Sequence, residues 1–182
     1  MAKVRNSILA ASMERPIELV TQPGVCAYDG WINVSIGVWV GHATLPAVRR
    51  VLRMSSEQAQ RYPQGRSSVI FVLDQVQAPT PEAQEELKKF YGNDGFACFA
   101  IVLEGTGFWA SGIRGMAANA QRTASSGVVQ RVSTTIDEVV GWLPAQHLAR
   151  TGVTLPPDEF RRNLLTAREN CARRARDGIH EA

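Results

Sequence analysis

Two uninterrupted apolar segments constrain the fold of this chain more than any other feature. Residues 69–73 have the sequence VIFVL, and residues 96–103 have the sequence FACFAIVL. Each segment is too short to form a helix by itself, and neither alternates with polar residues as a half-exposed strand does. Such runs are typical of strands buried on both faces of a sheet, which requires helices above and below it. The sequence therefore predicts an α/β fold.

Length and charge limit the number of domains and the kinds of partner. The 182 residues, 45% of them hydrophobic, are enough for one domain with one core and a terminal appendage. The formal net charge of +3, from 20 basic and 17 acidic residues, is too balanced to indicate a nucleic-acid partner. We expect neither a secretory leader nor a membrane span, because no apolar run approaches the ~18 residues that a span needs. The expected location is the cytoplasm.

The three cysteines predict no covalent framework. Cys26, Cys98 and Cys171 are widely spaced, form no Cys-x-x-Cys pair and have no histidine nearby. This spacing indicates neither a disulfide scaffold nor a zinc site. Cys98 lies inside an apolar segment and is expected to be a small core residue.

The first third of the chain predicts a strand with two different faces. A strand begins at residues 17–20, and turn signals follow at residues 23–24 and 29–30. Residues 31–41 then alternate in the manner of a strand. One face carries Ile32, Val34, Ile36, Val38 and Val40, and the other carries Asn33, Ser35, Gly37, Trp39 and Gly41.

Capped helices alternate with the strands. Thr44, followed by a proline in the first turn, opens a predicted helix that runs to about Tyr62. Thr80, followed by proline and Glu82, opens a second helix that ends at Gly92. A glycine-interrupted helix is expected after residue 105, and a short strand at residues 128–132.

The last part of the sequence predicts two more helices. Thr135 and Glu138 form a capping box that opens a helix ending at Leu143, before Pro144. Residues 151–182 form a helical extension with a narrow apolar seam. The seam consists of Phe160, Leu164, Ala167, Cys171 and Ala175. A helix with such a seam needs a surface to dock on, either its own sheet or a second copy of the chain.

These elements divide the chain into three parts. Residues 1–16 form a short helix or a loose arm. Residues 17–150 form an α/β domain with a mixed sheet of about five strands flanked by helices, and residues 151–182 form the extension.

Three short motifs and the order of the elements carry a family resemblance. The motifs are VGHAT at residues 40–44, FVLD at residues 71–74 and VSTTIDEVVGWL at residues 132–143. Together with two strands followed by alternating helices and strands, they resemble the STAS superfamily, especially its bacterial SpoIIAA-like or SEC14-like branch. The resemblance covers residues 17–143.

The resemblance implies a small α/β domain that works by binding, often as a regulatory module. Some members are switched by phosphorylation at the start of the helix after the central strand. Thr80 stands at that position and Asp74 stands where the family has a strand-end acid, but the family has Asp-Ser before the helix and this chain has Pro79 and Thr80. A phosphate there would meet free N–H groups and the positive end of the helix dipole. The alternative is that Thr80 only caps the helix.

The glycine-rich segment after the second apolar run is a weak candidate for ligand binding. Residues 105–110, GTGFWA, fit the dinucleotide pattern G-x-G-x-x-A, but the strand is a late one, and no acid follows at about 20 residues. Bulky side chains also stand where a pyrophosphate needs bare backbone, so we expect a turn and no cofactor. A milder alternative is a shallow crevice for a small molecule or lipid at these strand ends. Its lining residues would be Asp74, Gly105, Gly107, Trp109 and Arg114.

Two surfaces are candidates for protein partners or self-association. Trp39 lies between two glycines on the polar side of its strand, and its ring is either exposed to a partner or covered by the C-terminal helix or by residues 1–16. Arg161 and Arg162 belong to the extension, where charges of both signs favour a solvated face over a phosphate-binding patch.

The histidines predict no catalytic relay. His42 follows a strand, His147 is expected in a surface turn, and His180 is near the end of the chain. None has a serine, cysteine or carboxylate at a spacing that argues for a relay, so no catalytic residue and no metal ligand is predicted.

The sequence therefore predicts a non-enzymatic module that binds a protein partner or itself, in bacterial signalling. A small-molecule or lipid carrier is the second hypothesis, and an enzyme is the third.

Overall fold

The chain folds around one mixed sheet of six strands. The computed structural model describes residues 20–22, 26–62, 66–77, 79–91, 95–104 and 128–180. The strands are β1 (Val20–Gln22), β2 (Cys26–Trp31), β3 (Val34–His42), β4 (Ser67–Gln77), β5 (Phe96–Glu104) and β6 (Val129–Ser133). The helices among these residues are α1 (Leu45–Gln60), α2 (Pro81–Tyr91), α3 (Ile136–Thr151) and α4 (Pro157–His180). The predicted arm at residues 1–16 and the helix expected after residue 105 lie outside the described residues.

The strands lie side by side in the order in which they occur along the chain. β1, β2 and β3 are antiparallel, and β3, β4, β5 and β6 are parallel. The two apolar runs are the central strands β4 and β5, and all residues from 96 to 103 are buried. This confirms the predicted α/β fold with a mixed sheet flanked by helices.

Each face of the sheet has its own apolar core. On one face, even-numbered residues of β3, β4 and, from Cys98 on, β5 pack with α3 and α4; on the other face, the odd-numbered residues pack with α1 and α2. At the start of β5, where the register shifts, Ala97 joins the first core and Phe96 the second. The even-numbered set in β3 is Val34, Ile36 and Val38, and Trp39 belongs to the opposite core. The alternation predicted for this strand is therefore confirmed.

The turn before β3 differs from the prediction. Asp29 pairs with Ile36 and Gly30 pairs with Ser35, so both residues belong to β2. The two-residue turn is Ile32–Asn33, where Ile32 has a φ of 51° in the left-handed region. A β-branched residue adopts this conformation only at a cost in strain. The turn lies here because Asn33 is wholly buried and bonded to other elements, as described below.

α3 begins as predicted and ends later. Thr135 accepts a hydrogen bond from the Glu138 backbone N–H at 3.3 Å, while the Glu138 carboxylate bonds Thr134 instead of returning to Thr135. The helix then continues through Pro144 to Thr151 and ends at Gly152, whose φ is 71°. Pro144 removes one backbone hydrogen bond, but the helix persists because its second half is buried against the sheet. The predicted end at Leu143 is wrong.

α4 docks on the sheet of its own chain. Phe160, Leu164 and Ala167 are buried in the same core as α3, and the Phe160 ring stacks on Trp31 with centroids 6.1 Å apart. Leu155, in the segment before α4, is also buried there. The apolar seam predicted for the extension is thus covered by its own domain over these residues. The side chains of Cys171 and Ala175 lie outside the described part of the structure.

Candidate functional site

The outer face of α3 is apolar although it faces solvent. Between residues 139 and 149 the helix has no acidic or basic residue apart from the buried His147. Its inner face consists of Ile136, Val139, Leu143, His147 and Thr151. Its exposed positions in this stretch are Gly141, Ala145, Leu148 and Ala149. A surface helix normally has a polar outer face, so a helix that is apolar on both sides is expected to be covered by something.

Leu148 is the centre of this surface. It is 46% exposed, and among the described side chains it is the one large hydrophobic residue in the exposed class. We call the surface formed by Gly141, Ala145, Leu148 and Ala149 the α3 outer face. A leucine beside alanines and glycine forms a flat apolar surface that a partner side chain or helix can contact closely.

Charged contacts border the α3 outer face. On the β6 side, the guanidinium of Arg131 lies over the ring of the half-buried Trp142, 5.8 Å from its centroid. On the α4 side, Arg161 Nε donates to Asp137 Oδ1 at 2.8 Å, and this pairing lowers the pKa of the Asp137 carboxyl. The apolar surface thus has a polar rim, as protein interfaces have.

Trp39, one of the two partner surfaces predicted from the sequence, is buried. Its side chain is only 3% exposed, and its ring contacts Phe71 edge to face with centroids 5.7 Å apart. The cover comes from the core with α1 and α2, not from the C-terminal helix, which packs on the opposite face. The hypothesis of an exposed indole is therefore wrong, because the helix after β3 folds back over this face of the sheet.

The arginines predicted as a partner surface are exposed on α4. Arg161 bonds Asp137 within the chain, and Arg162 points to solvent on the same helix. The Arg161–Asp137 ion pair therefore helps to hold α4 against α3.

Thr80 caps α2. Its Oγ1 accepts a hydrogen bond from the Ala83 backbone N–H at 3.2 Å, and its carbonyl accepts one from Gln84 N at 2.9 Å. The half-buried hydroxyl thus satisfies one of the free N–H groups at the helix start. Its phosphorylation remains a prediction.

The strand-end crevice is only partly described. Gly105, Gly107, Trp109 and Arg114 lie outside the described residues. β4 continues to Gln77, so Asp74 lies within the strand and not at its end as the sequence predicted; it pairs in register with Glu104, the last residue of β5. Arg168 of α4 forms a bidentate ion pair with Glu104, its Nε lying 3.0 Å from both carboxylate oxygens. Glu104 and, more weakly, Asp74 raise the pKa of the Arg168 guanidinium.

His147 lies in the core and not in a surface turn as the sequence suggested. Its side chain has no exposed surface, its Nδ1 lies 2.7 Å from Ser68 Oγ, and its Nε2 lies 2.7 Å from Asn33 Oδ1. Asn33 Nδ2 donates to the Arg66 carbonyl at 3.3 Å, so its Oδ1 faces the histidine. His147 Nε2 therefore donates to Asn33, and Nδ1 of the neutral ring accepts a hydrogen bond from the Ser68 hydroxyl.

The hydrogen bonds continue on either side of His147. The Ser68 hydroxyl also bonds the buried Cys98 thiol, whose pKa is raised mainly by burial. Beside the same turn, Gln58 of α1 accepts from the Ser35 hydroxyl at 2.5 Å and donates to the carbonyls of Ile32 and Val34 at 3.1 Å. We call Asn33, Ser35, Gln58, Ser68, Cys98 and His147 the amino-edge network, since they lie where the parallel strands begin.

The amino-edge network has the residue types of a catalytic relay, but it is sealed. Ser68, Asn33 and His147 each have an exposed fraction of zero, so a substrate has no access to the hydroxyl in this conformation. Burial lowers the pKa of His147 to about 4, well below 6.5. The group keeps the ring neutral and connects the turn, β4, β5 and α3. This network was missed because the sequence predicted that α3 ends at Leu143. In a longer helix, the spacing of four from Val139 to Leu143 and from Leu143 to His147 places His147 on the buried stripe.

In the part of the chain that the structure describes, no three His, Cys, Asp or Glu side chains come together as a metal site. None of the described helices combines the length and the apolar character that crossing a bilayer demands.

Comparisons with protein-family models, with curated proteins and with solved structures give no match for this chain. The STAS resemblance therefore rests on the sequence motifs alone.

Proposed function

We propose that this protein is a non-enzymatic, STAS-like regulatory module that binds a protein partner through the α3 outer face. The observation that supports the proposal is the exposure of Leu148 in a helix with no charged residue between positions 139 and 149. Keeping such a surface in water is unfavourable, since apolar area gains roughly 25 cal/mol per Å² when it is covered. Contiguous exposed apolar surface is typical of an interaction site.

The location of this surface agrees with a binding role. α3 is the helix that carries the most distinctive part of the STAS-like motif, residues 132–143, and its start is held by a threonine cap. Small side chains at Gly141, Ala145 and Ala149 let a partner approach the helix closely, while Leu148 offers an anchor. The resemblance further implies a regulatory role in bacterial signalling, and we include this role and the expected cytoplasmic location in the proposal.

A site-specific photo-cross-linker tests the proposed surface. A benzophenone amino acid replaces Leu148 in one version of the protein and Arg162, exposed on α4, in a matched version. We expect the first version to form an adduct with a distinct protein in cells that make this chain, and we expect Leu148→Asp to prevent capture of that protein.

The other outcomes are equally informative. An adduct between two copies would identify self-association as the function of the α3 outer face. Adducts from position 162 alone would move the binding surface to the C-terminal helix, and no adduct from either position would contradict a protein-binding function.

A further inference from the structure

The second half of α3 is held to the sheet by polar contacts that converge on His147. Its ring bonds Ser68 of β4 and Asn33 of the β2–β3 turn, each at 2.7 Å. Its backbone carbonyl accepts the Thr151 hydroxyl at 2.8 Å, and the same Thr151 oxygen accepts the Val153 N–H at 3.1 Å. One residue therefore connects the end of α3, the following turn, the central strand and the hairpin.

The hydrogen bonds around His147 fit the neutral ring. Nε2 donates to Asn33 Oδ1, the Asn33 amide nitrogen donates to the Arg66 carbonyl, and Nδ1 accepts from the Ser68 hydroxyl. A proton added at Nδ1 turns that nitrogen into a donor, so the Ser68 hydroxyl has to turn towards the Cys98 sulfur, a weak acceptor. Protonation thus disrupts this arrangement and leaves a charge in the core.

Among the residues that the structure describes, no carboxylate faces His147 to balance that proton. The groups that face His147 are the hydroxyl of Ser68 on β4, the thiol of Cys98 behind it on β5 and the amide of Asn33 in the turn. On α3 itself, the charged neighbour is Arg150, whose field reaches Cys98 and has the same sign as an imidazolium. The α4 side of this core is formed by apolar residues such as Leu155 and Phe160. A buried cation with no carboxylate beside it has a high desolvation cost, so protonation favours a conformation in which the ring is exposed to water.

The strained β2–β3 turn also favours release of the His147 ring. Ile32 is held at a φ of 51°, and its turn is anchored by the two contacts of Gln58 Nε2 with the Ile32 and Val34 carbonyls and by the bond of Asn33 to His147. Loss of the last contact removes one anchor from a strained segment, so the turn relaxes when the histidine leaves.

We propose that His147 forms an acid-sensitive contact. Its protonation releases the C-terminal half of α3, and with it the α3 outer face, from the amino edge of the sheet before the rest of the domain unfolds. The biological meaning of this release rests on the proposed function of that face. The release itself requires no partner.

Amide hydrogen exchange of the full chain at pH 7.5 and pH 5 tests the release. A histidine with a pKa of about 4 when buried and 6.5 when exposed makes the opening equilibrium about 30-fold more favourable at pH 5. After correction for the intrinsic pH dependence of exchange, we expect this acceleration in residues 143–151 and not in α1. His147→Gln should remove the pH dependence, while His42→Gln and His180→Gln should keep it.

Three results would overturn the proposal. These are unchanged corrected exchange in residues 143–151, equal acceleration in α1, or a folded His147→Gln variant that keeps the acid response.

If His147→Gln does not fold, titration of the histidine ring protons in the unmodified chain decides. The His42→Gln and His180→Gln variants assign the remaining resonance to His147. A His147 resonance that does not titrate down to about pH 5 supports the proposal. A resonance that titrates near pH 6.5 while the α3 amides stay protected from exchange contradicts it. Because no measurement here involves a partner, a missing cross-link at position 148 would count against the proposed function only.

Discussion

His147 Nε2 lies 2.7 Å from Asn33 Oδ1, although the two residues are 114 positions apart in the chain. The contact joins α3 to the β2–β3 turn, and both side chains are wholly buried. It makes the stability of the fold depend on the protonation state of one ring.

Acidification should destabilise the protein through His147. Its folded pKa of about 4 lies below the 6.5 of the exposed ring, so the stabilising contribution is complete above pH 6.5 and is lost as the pH falls towards 4. We expect the free energy of unfolding to fall by about 3 kcal/mol between pH 7.5 and pH 3.5 from this group.

Asn33→Asp should weaken this acid sensitivity. A carboxylate 2.7 Å from Nε2 would favour the protonated ring and raise the pKa of His147. Urea unfolding at several pH values and titration of the ring protons measure both effects. Asn33→Ala removes the partner without adding charge, so a rise in the pKa that is equal in the two variants would contradict the argument.

Gly37→Ala should destabilise the sheet. A Cβ at this position would lie 3.3 Å from Phe71 Cδ1, so the buried Phe71 ring would have to shift, while its distance of 3.5 Å from Trp39 Nε1 is an ordinary contact. We expect a loss of about 1–3 kcal/mol in the free energy of unfolding, as for other overpacked cores.

Gly141→Ala is the matched control for that substitution. Its Cβ would meet no atom within 4 Å, and it lies inside α3, where alanine is favoured by about 0.5–1 kcal/mol. Thermal unfolding of both variants should shift in opposite directions, and a stabilising Gly37→Ala would show that the packing around Phe71 is loose.

Arg168→Ala should loosen the docking of α4. Glu104 of β5 and Asp74 of β4 are register partners, and Arg168 of α4 forms an ion pair with Glu104. We expect the free energy of unfolding to fall by about 1 kcal/mol, because the Arg168–Glu104 ion pair is bidentate and partly shielded from solvent. Arg173→Ala, an exposed residue bonded to Asn170 within the helix, should change stability by less than about 0.5 kcal/mol. If urea unfolding gave the same loss of unfolding free energy for both variants, the Arg168–Glu104 ion pair would contribute no more than an exposed contact.

Thr80→Ala should destabilise α2 by about 1 kcal/mol, since the Ala83 N–H loses its partner. Thr80→Ser keeps the hydroxyl oxygen and should unfold near the original midpoint. Mass spectrometry of the protein from growing cells examines the separate hypothesis of phosphorylation at the same oxygen. A serine variant as unstable as the alanine variant would mean that the methyl group, not the cap, is what matters.

The parts of the site that could be predicted from sequence are those with a local signal. The caps at Thr80 and Thr135 bond the N–H groups three residues ahead, as their spacing predicted. The position of Trp39 could not be predicted in this way, because its cover consists of α1 and Phe71, which lie on other elements. His147 was missed for a related reason: a proline three residues before it is a local stop signal, and the packing of the helix overrode it.

Runs and alternation of apolar residues depend only on neighbouring positions, so they were enough to predict the α/β class, the buried strands β4 and β5 and the two-faced pattern of β3. The tertiary structure was needed to show that α4 docks on its own sheet, that Trp39 is covered and that His147 joins Ser68 and Asn33. Those contacts span 79 and 114 residues in the case of the histidine, and they exist only once helices have been placed on a particular face of the sheet. Burial then changes the chemistry of the group, since a ring that is neutral in the core would be half protonated near pH 6.5 in water.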